Sequence, residues 1–234
     1  MRTRARNKGS PSIAVVRRPF LRPTLPLSIL PLGRIRIMPT RNSPSPATGF
    51  RVHLRPPRQT DAAAFLAASR ASRKLHGHWA KAPATRAEFT AFVNRYGGAE
   101  PHHAGFLVLR NDDGSLVGVY NFSQIIRNAF QSAYLGYYAF APFAGGGYMA
   151  DGLAVALDIA FRRLKLHRVE VNVQPTNRRS VALVERLSFT REGYSRRYVK
   201  IAGRWRDHLR FAMLAEDWRA RRTAVRRKLA RAAQ

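Results

Sequence analysis

Residues 137–150 read Tyr-Tyr-Ala-Phe-Ala-Pro-Phe-Ala-Gly-Gly-Gly-Tyr-Met-Ala, the most informative stretch of the sequence. Its aromatic start is typical of a buried strand, and a helical pattern begins at Asp151, so three glycines stand where a strand turns into a helix. At such a turn, free backbone N–H groups and the positive end of the helix dipole can bind phosphates. Glycine has no Cβ and so lets the phosphates approach closely. The stretch predicts a pyrophosphate loop or an ordinary turn, and its spacing excludes the usual dinucleotide fingerprint.

The segments around this loop follow strand and helix patterns in turn. Thr85 with Glu88 has capping-box spacing, and residues 111–114 (Asn-Asp-Asp-Gly) are typical of a hairpin turn. The order predicts an α/β fold with a mixed sheet. The predicted elements are a strand at 52–55, helices from 62 to 69 and 85 to 96, strands at 104–109, 116–122 and 132–141, a helix at 151–164, a strand at 168–173, a helix at 177–187, and a closing hairpin of 190–201 and 206–214.

The positive charge is concentrated towards the two ends of the chain. The net charge is +29, and 17 of the 42 basic residues lie in residues 1–47 and 219–234, which contain no acidic residue. We therefore expect a disordered basic extension at residues 1–49, a folded domain at 50–218 and a basic C-terminal tail at 219–234, either solvated or a helix lying on RNA. Within the extension, Met38 is an alternative start, and the arginine-rich composition also fits a transit peptide.

Composition narrows the classes of function. The chain has no cysteine, which excludes a thiolate nucleophile, a disulfide and cysteine-ligated zinc, so we expect no metal site and a cytoplasmic protein. No apolar run of about eighteen residues occurs, so we expect no membrane contact. The basic charge fits an acidic partner such as RNA, a ribosome surface or CoA, although an arginine-rich genome would give the same bias.

The glycine loop resembles a known cofactor motif. Residues 144–149, Ala-Gly-Gly-Gly-Tyr-Met, are similar to the acetyl-CoA motif of the GNAT N-acetyltransferase superfamily. Ala144 stands where that motif usually has Gln or Arg, which removes a side chain but no backbone donor. Met149 stands where a small residue is usual. The resemblance implies the GNAT fold, a central mixed and mostly antiparallel sheet flanked by helices, with acetyl-CoA as cosubstrate.

Four further stretches resemble the ribosomal-protein-alanine N-acetyltransferase branch of that superfamily. The resemblance spans about Arg51 to Trp218 and implies that acetyl is transferred to an amine, most simply the N-terminal α-amine of a ribosomal or other protein. The stretches are residues 118–127 (GVYNFSQIIR), 130–137 (FQSAYLGY), 177–189 (NRRSVALVERLSF) and 203–208 (GRWRDH).

The resemblance also implies the site residues. In the family, the strand after the cofactor helix splays from its neighbour, and the thioester lies in the gap. Asn177 and Ser180 would stand at its mouth as the catalytic residues, although an ordinary helix cap is an equal interpretation of both. The cofactor-binding residues would be Phe140, Ala141, Ala144, Gly145, Gly146, Gly147, Tyr148, Met149 and Asn177.

No general base stands out. Residues 132–141 contain no acid, and an α-amine, with a pKa of about 7.7–8.0, needs less help than a lysine at about 10.4, which favours an α-amine acceptor. His76, His78, His102 and His103 are candidates, but we expect exposed loop histidines. We expect Asp207 and His208 to stabilise the closing hairpin. A small-molecule amine or antibiotic acetyltransferase, and a non-catalytic RNA- or ribosome-binding protein with this fold, remain the alternatives.

Overall fold

Eight strands form one sheet in the part of the chain that the computed structural model describes, residues 47–98 and 100–233. Their order across the sheet is β1-β2-β3-β4-β5-β6-β8-β7, and within these residues neighbouring strands run antiparallel except β5 and β6, which run parallel. The sheet is therefore mixed and mostly antiparallel, as predicted. The strands are Ala47–Thr48 (β1), Val52–Arg55 (β2), Ala104–Arg110 (β3), Leu116–Ile126 (β4), Ser132–Ala139 (β5), Arg168–Val173 (β6), Thr190–Ile201 (β7) and Arg204–Leu214 (β8).

Helices cover both faces of the sheet. The larger core lies on the side of α4, α5 and α6, and a smaller one of mostly aromatic residues lies on the side of α1 and α3. Phe65, Phe89 and Phe92 pack their rings within 6.0 Å of one another in the smaller core. The helices are Ala62–Ala71 (α1), Arg73–His76 (α2), Arg86–Tyr96 (α3), Tyr148–Asp158 (α4), Arg178–Arg186 (α5) and Ala215–Arg231 (α6).

Local sequence signals explain several of these boundaries. The predicted capping box is present at α3, where Thr85 accepts from the Glu88 N–H and Glu88 accepts from the Thr85 N–H. Helix α4 begins three residues earlier than predicted, because Gly147 adopts a left-handed conformation (φ 79°) and starts the helix directly after the glycine run. A π-helical turn, Ile159–Arg163, follows α4. None of the helices in the described residues has the length and apolar character needed to cross a bilayer.

The C-terminal segment differs from the predicted tail. Residues 219–231 continue helix α6, and Trp218, Val225 and Leu229 are buried in the larger core. The Trp218 indole also donates a hydrogen bond to Asp158 at 2.9 Å. The basic residues dominated the sequence pattern, but the three apolar residues share one helix face, which packs on the domain.

The predicted N-terminal boundary at residue 50 also shifts. Strand β1 pairs with β2, with Ala47 opposite Leu54 and Thr48 opposite His53, so the sheet includes residues before that boundary. The rest of the predicted basic extension, including the alternative start at Met38, lies outside the described residues.

Candidate functional site

A gap opens between the two parallel strands at the centre of the sheet. Strands β5 and β6 pair only from Ser132 to Tyr134, against Arg168 to Glu170. Beyond these residues each strand continues without pairing to the other, so their carboxyl ends separate. This is the splay that the resemblance implied. A cleft of about 810 Å³ lies at this opening, between the N-terminal ends of α4 and α5.

The glycine loop forms one wall of the cleft. Ala144, Gly145, Gly147 and Met149 line it. In the described part of the chain, the N–H groups of Gly145, Gly147 and the first two α4 residues meet no hydrogen-bond acceptor. The N–H of Gly146 differs, because it donates to the Phe143 carbonyl at 3.3 Å. Unpaired N–H groups at a helix start are suited to binding an anion.

Four predicted cofactor-binding residues lie outside the lining of the cleft: Phe140, Ala141, Gly146 and Tyr148. Phe140 is fully buried in the aromatic core, 5.3 Å from the Phe65 ring, and its N–H donates to the Val117 carbonyl at 2.7 Å. It is a core residue in this structure, because strand pairing uses its N–H and its ring points into the smaller core. Ala141 donates its N–H to the Ser72 hydroxyl at 2.9 Å. The Tyr148 ring does not line the cleft, and its centre lies 4.6 Å from the guanidinium carbon of Arg51.

The opposite wall carries the two predicted catalytic residues and a tyrosine. Asn177 caps α5 by accepting a hydrogen bond from the Ser180 N–H at 3.2 Å, and both residues line the cleft. The helix-cap interpretation of Asn177 therefore describes its observed contact. The Tyr137 hydroxyl, which the sequence did not single out, lies 2.7 Å from the Ser180 Oγ. Burial raises the pKa of Tyr137 to about 12, although the Ser180 hydrogen bond acts in the opposite direction, so the phenol stays protonated at neutral pH.

The charge around the cleft is positive. Among the described residues that line it, none is acidic. This environment favours an anionic ligand and disfavours one that carries several positive charges. The basic lining residues are Lys74, Arg178, Arg179 and Arg186.

Of the four candidate histidines, only His76 is buried, and His78 and His102 are exposed as expected. His76 is buried rather than exposed, lines the cleft, and places Nε2 at 2.8 Å from the Ala139 carbonyl. A carbonyl only accepts, so Nε2 carries the proton of this hydrogen bond. His78 is exposed and stacks on Trp79. His102 and His103 lie before β3 and do not line the cleft.

The Asp207 contacts confirm the expected hairpin role. Its carboxylate accepts from the Tyr194 hydroxyl and, at 2.7 Å, from the Arg197 N–H. His208 is buried and faces the Arg206 carbonyl at 3.0 Å, and burial lowers its pKa. Asp207 therefore joins β8 to β7 by hydrogen bonds, and the His208 ring lies 5.9 Å from the Tyr198 ring of β7.

Comparison with known protein families decides what this arrangement is. The family model described as an acetyltransferase (GNAT) domain matches residues 51–190. The chain belongs to the GNAT acetyltransferase family. This assignment confirms the predicted fold and the expectation of an acyltransferase, and it accounts for a splayed sheet with a glycine loop at one wall.

Relatives within the GNAT family include ribosomal-protein modifying enzymes. The chain is 39% identical over 107 residues to the [Ribosomal protein uS5]-alanine N-acetyltransferase of Escherichia coli (strain K12), covering 46% of this chain and 55% of that protein, about half its length. It is 37% identical over 132 residues to the probable N-acetyltransferase YjcK of Bacillus subtilis (strain 168), covering 56% of this chain and 72% of that protein.

Solved GNAT structures share the fold. Mycobacterium smegmatis RimJ, solved in complex with CoA-disulfide, is 29% identical with a TM-score of 0.67, covering 74% of this chain and 89% of that one. The ribosomal-protein-S5-alanine acetyltransferase from Vibrio fischeri is 22% identical with a TM-score of 0.65, covering 74% and 98%. The resemblance to the ribosomal-protein-alanine branch is therefore confirmed at the level of named relatives.

Proposed function

We propose that this GNAT protein transfers an acetyl group from acetyl-CoA to the N-terminal α-amine of a protein, with a ribosomal protein as the preferred acceptor. The observation that carries the proposal is the wall of unpaired N–H groups at the opening between β5 and β6. The basic lining of the same cleft fits the phosphates of CoA. The ribosomal acceptor is suggested by the E. coli relative that acts on uS5, and it implies a cytoplasmic site of action.

The residues of the two walls divide the chemistry between them. Acetyl-CoA supplies an acetyl thioester that a free amine can attack directly. The loop N–H groups would hold the phosphates and orient the acyl end. The Ser180 hydroxyl would donate a proton to the departing sulfur, and Tyr137, hydrogen-bonded to Ser180 and protonated at neutral pH, would support that donation. The proton released by the attacking amine would pass to solvent, since no acidic side chain is among the described residues that line the cleft.

The absence of acidic residues among the described lining residues favours a peptide over a polyamine. A polyamine or an aminoglycoside carries several positive charges and requires carboxylates for recognition, whereas four basic side chains line this cleft. A protein α-amine is also partly neutral near pH 7.7–8.0, so it needs a weaker base than lysine. A small-molecule acceptor is therefore the second candidate. A neutral or acidic amine suits the basic cleft better than a polycation does.

The test is a direct competition between acceptors. The full chain is incubated with acetyl-CoA and three substrates: a peptide with the N-terminal sequence of ribosomal protein uS5, the same peptide with its α-amine blocked, and spermidine. We expect mass spectrometry to show acetylation of the free α-amine, with little product from the other two. Initial rates should give intersecting lines, as for a ternary complex. Faster turnover of spermidine, parallel lines, or CoA binding without transfer to any amine would contradict the proposal.

We also propose that basic surfaces outside the cleft contact RNA on the ribosome. The β7–β8 hairpin exposes Trp205 (59%) and Tyr194 (49%), and side-chain alternation places both on one sheet face. Exposed rings between cations suit bases and phosphates. Helix α6 also points basic side chains to solvent, and the N-terminal basic residues lie outside the described residues. The exposed cations of the hairpin are Arg191, Arg196, Arg197, Lys200 and Arg204.

Removing whole termini would be a poor test of this contact, because truncation at Arg221 deletes the buried Val225 and Leu229. Charge substitutions are cleaner. Two variants, each with four exposed cations replaced by glutamine, would be compared for binding to a ribosomal RNA fragment at several salt concentrations. We expect the salt slope to fall by up to about 3 in the variant that carries the contact. Unchanged slopes in both would contradict it. The hairpin variant replaces Arg196, Arg197, Lys200 and Arg204. The α6 variant replaces Arg219, Arg227, Lys228 and Arg231.

A further inference from the structure

A buried carboxylate lies directly behind the glycine loop. Asp151 belongs to the first turn of α4 and is only 3% exposed. The N-terminal end of a helix favours a negative charge, but at this helix the same end faces the proposed phosphate site. A carboxylate there repels phosphates unless a cation compensates for it. Burial raises the pKa of Asp151, while the nearby Arg51 acts in the opposite direction.

Arg51 supplies that cation from a distant part of the sequence. Its Nε donates to Asp151 Oδ2 at 2.6 Å across 100 residues of chain. The other Asp151 oxygen, Oδ1, is buried and has no hydrogen-bond partner in the described part of the chain. Arg51 therefore gives this carboxylate its hydrogen-bonded cation, while Arg186 contributes a smaller favourable charge interaction, and removing the Arg51 guanidinium would leave a poorly compensated buried charge behind the loop.

Arg51 also holds the loop itself. One terminal nitrogen, Nη1, donates to the Gly146 carbonyl at 3.1 Å, and the guanidinium carbon lies 4.6 Å from the centre of the Tyr148 ring. These contacts pull the carbonyl side of the loop towards Arg51, on the face opposite the cleft. Gly145 and Gly147, whose N–H groups have no acceptor in the described part of the chain, belong to the lining of the cleft, and Arg51 does not.

The lack of a side chain at Gly147 makes room for this arrangement. A Cβ atom at Gly147 would lie 2.9 Å from Arg51 Nη2, closer than side-chain carbons normally approach. Glycine is favoured here for two reasons, its left-handed φ of 79° and the room that it leaves for the guanidinium, which a Cβ would displace. The second reason links the glycine motif to an arginine almost a hundred residues earlier.

We propose that Arg51 is a positioning residue for acetyl-CoA, which braces the glycine loop and neutralises Asp151 so that the phosphates meet N–H groups without an opposing charge. The proposal rests on the proposed use of acetyl-CoA by the same cleft. It predicts that Arg51 acts on cofactor affinity and has little effect on the transfer step, because no Arg51 atom lines the cleft. The effect should depend on Asp151, since the charge that Arg51 compensates belongs to that residue.

The chain offers a matched control in a second Arg–Asp pair at the other end of strand β2. Arg55 binds Asp61 through two hydrogen bonds of 2.7 and 2.8 Å, and its side chain has nearly the same exposure, 22% against 24% for Arg51. Neither Arg55 nor Asp61 lines the cleft. Replacing Arg55 therefore tests what the loss of a partly buried ion pair does without touching the loop.

The experiment measures CoA binding by calorimetry, together with kcat and the KM for acetyl-CoA, in Arg51→Gln, Arg51→Lys, Arg51→Gln with Asp151→Asn, and Arg55→Gln. We expect Arg51→Gln to weaken CoA binding by about 10- to 100-fold and to change kcat by less than about threefold. Arg51→Lys should recover part of the affinity because it keeps the positive charge. The double variant should also recover part of the affinity, because it removes the negative charge of Asp151. Arg55→Gln should lower the melting temperature but change CoA affinity less than about twofold.

Each other outcome has a definite meaning. Equal loss of affinity in Arg51→Gln and Arg55→Gln would overturn the proposal, because general destabilisation would then explain it. Unchanged affinity in Arg51→Gln, or no recovery in either the lysine or the double variant, would also overturn it. Should Arg51→Gln not fold, Asp151→Asn alone decides: affinity should hold or rise, and a tenfold loss would overturn the proposal. No CoA binding by the unmodified chain would defeat the proposed function and this proposal together.

Discussion

The two walls of the cleft are built in different ways. The α4 wall presents backbone N–H groups from the glycine loop, which contribute no side-chain chemistry and are braced from behind by Arg51. The α5 wall presents side-chain hydroxyls, Ser180 and Tyr137, which are 2.7 Å apart and held by the cap at Asn177. Because the walls differ in this way, we expect changes to the first wall to alter cofactor affinity and changes to the second to alter kcat.

The largest effect is expected at the loop. Gly147→Asp adds a Cβ and a negative charge beside the proposed phosphates, so CoA affinity should fall by about 100-fold or more in calorimetry. Gly203→Asp is the matched control, because Gly203 has the same φ of 79° in the β7–β8 turn but nothing within 4 Å of its would-be Cβ. It should carry the backbone strain alone and leave affinity unchanged. Normal CoA binding by a folded Gly147→Asp variant would remove the loop from the site.

The next effect concerns the hydroxyl wall. Ser180→Ala removes the proposed proton donor, and we expect kcat to fall by about 10- to 100-fold while the KM for acetyl-CoA changes less than about threefold. Tyr137→Phe should have a smaller effect in the same direction, because it acts through Ser180. Steady-state kinetics at saturating acceptor measure both values. A raised KM with normal kcat would mean that this wall binds the cofactor and does not assist transfer. The proposed division of affinity and turnover between the two walls would then be wrong.

The smallest effect is expected from the helix cap. Asn177→Ala should cost about 1 kcal/mol of folding stability, as loss of a helix cap usually does. Thr85→Ala removes an equivalent cap from α3, where Thr85 Oγ1 accepts from the Glu88 N–H at 3.2 Å, the same length as the Asn177 bond. Denaturant unfolding should show similar losses for both. Only Asn177→Ala should also reduce kcat, by a few-fold, because it releases the Ser180 backbone. Equal activity in the two variants would leave Asn177 as a cap alone.

Much of the architecture was predictable because local patterns specify it. The capping box at Thr85 and the strand periodicities placed the helices and strands in the observed order. The sequence analysis did not predict the core contacts of α6, because many arginines surround three apolar residues that repeat at helical spacing. That apolar repeat, Trp218, Val225 and Leu229, was the available signal.

The site was predictable only in part. The glycine loop and Ser180 stand at the cleft, and the loop could be found because phosphate chemistry needs small residues in sequence there. The sequence did not show that the Phe140 ring is buried in the smaller core, because proximity along the chain does not show which way a strand residue points. The sequence analysis did not name Tyr137, which lines the cleft beside Ser180, although period-two alternation from Ala133 and Leu135 would have placed it on the face towards α5.

The sequence by itself determined the kind of chemistry available. Without cysteine the chain cannot carry an acyl group on a thiolate, and the glycine run at a strand-to-helix turn supplies N–H donors whatever surrounds it. Only the tertiary structure decided which distant groups meet that loop. Arg51 reaches Asp151 across 100 residues, and His76 is buried against Ala139 across 63, because sheet pairing and core packing bring these segments together. Local periodicity cannot specify such contacts, since they depend on how strands that are far apart in the chain are ordered in the sheet.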